Sequence, residues 1–288
     1  MTEMPSSARL AIAQVDIRPF DRDRNMAKLV EYSTTAARDH QADLVILPEL
    51  ANIGYIKQRT RDFGAEYVAA AEPADGPTSV ALTDVCREFG CWIVAGIAET
   101  HPSIPATLFN SALVVSPDGL AGVYRKAHLA GEEKHYFAPG SSTPIFSTPI
   151  GVIGICICYD TFFPELARSY ALKGAHWLIC PFNTGGYYDH VDTIEHLAAA
   201  RAIENKLFVA MCNRVGSEED VEFSGRSAVA DPFGTLLVKL GEDEDLAVVE
   251  IDGTLLRKER AFHPVFADRR PDLYSSLVEP CETNGEVA

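Results

Sequence analysis

Positive charge is scarce in this chain: 25 Lys and Arg residues stand against 41 Asp and Glu, for a formal net charge of -16. Such a surface is not built to neutralise phosphates or anionic headgroups, so neither nucleic acid nor membrane is an expected partner. Long apolar runs are missing as well. No stretch approaches the ~20 residues needed to span a bilayer, and no basic-then-apolar leader opens the chain, so a cytoplasmic location is expected. There is no glycine-rich phosphate loop ahead of a helix and no two-plus-two spacing of Cys and His ligands, so no nucleotide, metal or other cofactor is implied. Cysteine is limited to seven residues, an odd number. Cys156, Cys158, Cys180 and Cys212 lie within or at the ends of apolar runs instead of at loop staples, which points to reduced thiols. Short-period repeats and low-complexity linkers are absent too. With 288 residues and 47% hydrophobic content, one domain over residues 1–288 is expected.

What is present is an alternation of strand and helix patterns. An apolar run from Arg9 to Val15 precedes a helical stretch from Arg22 to Arg38 and a second run from Asp43 to Leu47. A helix from Thr78 to Phe89 stops at Gly90 and gives way to the run Cys91 to Ile97. Pro117-Asp118-Gly119 supplies hairpin chemistry between Asn110 and Lys126. Val152 to Cys158 is so apolar and β-branched that burial on both faces is expected. Pro164 and Gly174 bracket a helix, and the run His176 to Cys180, a helix from Val191 to Asn205 and the run Leu207 to Cys212 repeat the rhythm. A hairpin at Asp231 to Gly234 and a last strand from Leu246 to Ile251 follow. The acidic clusters Ser217 to Glu222 and Gly241 to Asp245 read as solvated loops. Residues 257–288 have little periodicity and suit an arm that wraps a partner subunit.

Three reactive side chains occur where strands run out: Glu49 after Leu44 to Leu47, Lys126 after Val123-Tyr124, and Cys158 after Val152 to Ile157. Singly, each has an innocuous explanation, since free cysteine is usually core and a lone carboxylate or ammonium is usually solvated. Ligand crevices in α/β sheets lie beyond the carboxyl ends of strands, so the three can converge on one site. A thiol, a carboxylate and an ammonium together make a plausible cysteine hydrolase, because the sulfur needs a base or a cation to react at neutral pH. Cys156, two residues earlier, reads as core packing.

The motifs that carry these residues resemble one family. Leu47-Pro48-Glu49-Leu50 with Gly54-Tyr55, Tyr124 to Leu129, Glu133 to Phe137 with Pro139-Gly140, and Ile157 to Asp160 with Phe163-Pro164-Glu165 are similar, in order, to the signature of the nitrilase (carbon-nitrogen hydrolase) superfamily. The likeness extends through Arg201-Ala202, Glu204-Asn205, Gly225, Asp231-Pro232 and Gly234. It implies an α/β fold, the four-layer α-β-β-α sandwich of the nitrilase type, and a homo-oligomer. It also implies a metal-free Glu-Lys-Cys triad: Cys158 as nucleophile, Glu49 as general base and later acid, and Lys126 beside the developing oxyanion. Glu133 matches a second glutamate of the pattern, chosen over Glu132 by its register with Tyr136-Phe137. A substrate pocket bounded by Tyr55, His128, Tyr159, Phe182 and Asn183 is expected, with Tyr187, Tyr188 and Asp189 reaching in. Relatives that cleave N-carbamoyl amino acids commonly carry arginines after the nucleophile to bind a carboxylate. Thr161 and Phe162 stand there instead, which favours a neutral or amine-bearing aliphatic amide. The implied activity is amide hydrolysis with release of ammonia, the alternatives being hydrolysis of an N-carbamoyl amine of the carbamoylputrescine type or of a true nitrile. On this reading a catalytically silent scaffold is disfavoured by the intact triad.

Overall fold

The computed structural model describes residues 4–56, 60–185, 192–218 and 221–279. The first half runs β1 (Ser7–Gln14), α1 (Arg22–His40), β2 (Leu44–Ile46), α2 (Arg61–Ala70), α3 (Pro77–Phe89), β3 (Trp92–Thr100), β4 (Leu108–Ser116) and β5 (Gly119–Arg125). The second continues with β6 (Ile145–Thr148), β7 (Gly151–Ile155), α4 (Pro164–Leu172), β8 (Trp177–Pro181), α5 (Thr193–Asn205) and β9 (Phe208–Cys212). Next come β10 (Val215–Glu218), β11 (Val221–Ser224), β12 (Ala228–Ala230), β13 (Leu236–Lys239), β14 (Asp245–Asp252) and α6 (Thr254–Phe262).

Two six-stranded sheets result, ordered β14-β1-β2-β3-β4-β5 and β13-β12-β9-β8-β7-β6. Each has a parallel trio at its centre, β1-β2-β3 and β7-β8-β9, flanked by antiparallel strands. The strand period of two explains the layering. In β1, Leu10 and Ile12 face the second sheet and pack among Ile153, Ile155, Trp177 and Phe208, whereas Ala11 and Ala13 face α1 and α3 through Leu29, Ala36, Leu82 and Val85. On the other side, Cys156, Leu178, Cys180 and Val209 pack under α4 and α5 through Leu166, Tyr170, Ala198 and Ala202. The layers are therefore helix, sheet, sheet, helix, the α-β-β-α sandwich expected.

Four details depart from the sequence reading. Helix α2 was not foreseen; its Tyr67 donates from its hydroxyl to the Gly54 carbonyl at 2.9 Å and packs with Leu50, Ile53 and Ile56. The cluster Ser217 to Glu222 is not a solvated loop where it is described: β10 pairs with β11, and Glu218 is buried in an ion pair with the fully buried Arg214. The tail is not featureless from residue 257, because α6 buries Leu256 and Glu259, the latter paired with Lys206 Nζ at 2.8 Å. The run Val152 to Cys158 leaves the sheet after Ile155, so Cys156 enters the core while Cys158 turns out of it. Among the described residues no helix is long and apolar enough to cross a membrane.

Candidate active site

Glu49 leaves β2 through Pro48, whose carbonyl accepts from Gly96 N at 3.1 Å. A Cβ at position 96 would lie 2.5 Å from both Glu49 Cα and Pro48 O, so only glycine lets this segment lie against β3. Asn183 Nδ2 then donates to the Glu49 carbonyl at 3.1 Å. Lys126 follows β5 directly, its backbone N donating to Asn110 O at 2.8 Å. Glu133 sits in a 3-10 turn, Gly131–His135, where its Oε2 accepts from Ala130 N at 3.0 Å and its Oε1 is left to face inward. These three side chains, all fully buried, converge: Lys126 Nζ lies 2.7 Å from Glu49 Oε1 and 2.8 Å from Glu133 Oε1.

Cys158 opens a second 3-10 turn, Cys158–Phe162, with a left-handed φ of 43°. A non-glycine residue is held there only when its surroundings over-determine it. Here Asp160 does so: its buried carboxylate accepts from Ile157 N at 3.0 Å, Tyr124 Oη at 2.7 Å and His128 N at 2.9 Å, and meets His128 Nδ1 at 2.7 Å. Thr161 Oγ1 donates back to the Cys158 carbonyl at 2.7 Å. The thiol faces a cavity of about 420 Å³ whose wall also includes Tyr55, Tyr159, Phe162, Phe182 and Asn183.

Residues 9–260 match the carbon-nitrogen hydrolase family. The chain belongs to that family. It is 36% identical to a nitrilase of Pyrococcus abyssi, the alignment covering 92% of this chain and 98% of that one. It is 35% identical to an (R)-stereoselective amidase of Pseudomonas sp., over 94% of each. Among solved structures, a variant of an amidase from Nesterenkonia sp. is similar at 27% identity and a TM-score of 0.80, covering 96% of this chain and 99% of that one; it shows covalent addition of the acetamide moiety of fluoroacetamide at its active-site cysteine. This chain is thus a hydrolase of carbon-nitrogen bonds in the amidase branch of the nitrilase superfamily.

Within this carbon-nitrogen hydrolase the electrostatics of the cluster follow from two carboxylates sharing one cation. Burial lifts Glu49 to about 7, helped by Glu133 and opposed by Lys126 and Asn110. Burial alone would pull the Lys126 ammonium down, but the Glu49 and Glu133 carboxylates outweigh it and hold the proton on. Cys158 is pushed well above the ordinary thiol range by burial and by the Glu49 carboxylate, Lys126 offsetting only part. A sulfur shifted in this direction calls for a base to take its proton as well as a cation beside it.

Of the expected pocket residues, Tyr55, Tyr159, Phe182 and Asn183 line the cavity, whereas His128 does not. Its ring turns back onto Asp160 and stacks on Phe163 at 3.7 Å between centroids, buttressing the Cys158 turn. Tyr187, Tyr188 and Asp189 lie outside the described residues. Sequence reasoning missed Asn110, fully buried in β4, whose Nδ2 donates to Glu49 Oε1 at 2.7 Å. It also assigned no role to Asp160. A polar residue inside a strand as apolar as β4, or in the turn after Cys158, was the available signal.

Proposed function

We propose that this chain hydrolyses a primary amide of a small molecule through a thioester on Cys158 and releases ammonia. The observation that carries the reading is the unequal use of the Glu49 carboxylate. Oε1 accepts from both Lys126 and Asn110, while Oε2 is buried with no hydrogen-bond partner among the described residues. An acceptor left in that state, near enough to Cys158 for its charge to act on the thiol, is suited to general base work. The Cys158 proton passes to Glu49 as sulfur bonds to the amide carbonyl carbon, and the charge that develops on oxygen is met by Lys126 Nζ and the Tyr159 backbone N–H. Removing one such donor typically slows turnover ~100 to 1000-fold. Glu49 returns its proton to the departing nitrogen, the carbon-nitrogen bond breaks, and ammonia leaves a thioester. Water then gives a proton to Glu49 and hydroxyl to the acyl carbon, and sulfur recovers the proton as the acid departs. Glu133 holds Lys126 in place throughout.

The addition of an acetamide moiety to the cysteine of the Nesterenkonia amidase supports this assignment of the nucleophile. The test is ammonia release from a panel of primary amides by wild type and Cys158→Ala, and persistent turnover in the variant refutes the reading. An N-carbamoyl amine hydrolase is the second reading, favoured by the acidic residues Asp192, Glu195 and Glu218 on the cavity wall and by 31% identity to an N-carbamoylputrescine amidase of Solanum lycopersicum. Carbon dioxide appearing with the ammonia would identify it. Nitrile conversion at a rate matching the amide would favour a nitrilase.

A further inference from the structure

The cavity beyond Cys158 is larger and more apolar than a short-chain amide requires. At about 420 Å³ it falls within the range that encloses drug-sized ligands. Its wall is assembled from separate parts of the fold: Tyr55 from the loop held by Tyr67, Phe162 from the nucleophile turn, Phe182 after β8, Ile194 at the start of α5, and Val221 and Phe223 on β11. Phe223 is fixed by the Arg214 guanidinium 4.0 Å above its ring. Phe162, with 42% of its surface exposed, is a large hydrophobe left at the rim with a ring that a bound apolar group would cover.

The cations at and behind the wall already have carboxylate partners. Among the described residues, Arg226 faces Asp192 at 3.4 Å and Glu242 at 2.6 Å, and Lys239 faces Glu195 at 2.7 Å. Arg214 pairs with Glu218, and Lys126 with Glu49 and Glu133. A carboxylate on the substrate would have to displace one of these partners, whereas an uncharged hydrocarbon displaces only water.

We propose that the acyl group this site takes is a bulky uncharged hydrocarbon body, aryl or branched, in preference to a short alkyl chain or an ω-carboxylate. The proposal rests on the amide hydrolase reading and departs from the small aliphatic amide expected from sequence. Three probes test it on the purified chain: propionamide, 3-phenylpropanamide and glutaramic acid, each followed by ammonia release. Burying a phenyl ring raises kcat/KM for 3-phenylpropanamide about 10 to 100-fold over propionamide. Glutaramic acid falls below propionamide. Phe162→Ala, at an exposed position that leaves the core untouched, reduces the phenyl preference at least threefold, mainly through KM. Phe223→Ala does the same, and a Tm measured alongside separates a lost contact from a loosened hairpin. Cys158-dependent turnover of propionamide with no gain from the phenyl ring, or faster turnover of glutaramic acid, overturns this inference while leaving the amide reading intact. Absence of ammonia from all three overturns both.

Discussion

Replacing Glu49 by Gln should make the protein inactive and, above neutrality, more stable. Glu49 is fully buried, and its environment on balance disfavours the charge, moving its pKa from 4.5 to about 7. The folded state therefore holds the proton more tightly than the unfolded chain. Stability from this group is fully present below about 4.5 and is lost as pH rises through about 7, because between those values the folded protein binds the extra proton. At pH 8 the wild type carries the whole penalty, on the order of 3 kcal/mol. Gln keeps a carbonyl oxygen for Lys126 and Asn110 but has no charge to bury, and Lys126 retains Glu133 as counter-ion. Melting should therefore rise by roughly 5 to 10 °C in Glu49→Gln at pH 8, with the difference shrinking toward pH 5, where wild-type Glu49 is already neutral. The acid limb of kcat/KM in the wild type should fall near pH 7 for the same reason, since the protonated carboxyl cannot receive the thiol proton. Thermal melts of both proteins at the two pH values, with a pH profile of ammonia release, decide the matter. A variant that melts below wild type by the same amount at pH 5 and pH 8 would show that the buried charge carries no penalty and would refute the argument.

Lys126→Ala should abolish turnover and, unlike Glu49→Gln, destabilise the fold by ~3 to 5 kcal/mol, because two buried carboxylates are left facing each other; urea denaturation reads the loss. Asn110→Ala removes the donor that favours ionised Glu49, so the acid limb of kcat/KM should move to higher pH, and Asn110→Gln should restore part of it. Asp160→Ala orphans the donors of Ile157, Tyr124 and His128 and should lower both Tm and kcat, each unpaired group costing ~1 to 3 kcal/mol, while Asp160→Asn recovers some stability.

The layered fold was legible because its strands obey a strict period and its helices announce their ends. Asp21 caps α1, Pro77 and Pro164 open α3 and α4, and Gly90 closes α3 in the left-handed conformation. What stayed hidden lacks that local signature. Helix α2 fully buries only Tyr67, so no apolar stripe marks it. The acidic letters around Glu218 look solvated because nothing in the sequence says that Arg214, on the neighbouring turn of chain, will be buried beside them. Charge patterning reads composition, whereas burial of an ion pair depends on a partner arriving in three dimensions.

The same distinction runs through the site. Glu49, Lys126 and Cys158 were legible as reactive groups at strand ends, and the structure draws the first two into direct contact. What the sequence could not convey was the proportion of charges. Lys126 read alone is a cation that would favour a thiolate; Lys126 between Glu49 and Glu133 is already neutralised, with Asn110 donating to the same oxygen of Glu49. On the proposed mechanism that shifts the burden of activation from the lysine to the carboxylate. In that proposed scheme the sulfur, whose proton burial and the Glu49 carboxylate favour, passes that proton to Glu49 once a bound substrate's oxyanion gives Lys126 a new partner. His128 makes the same point from the other side, since its position two residues beyond Lys126 suggested a place in the pocket. The backbone instead turns it onto Asp160, where it supports the turn that presents Cys158.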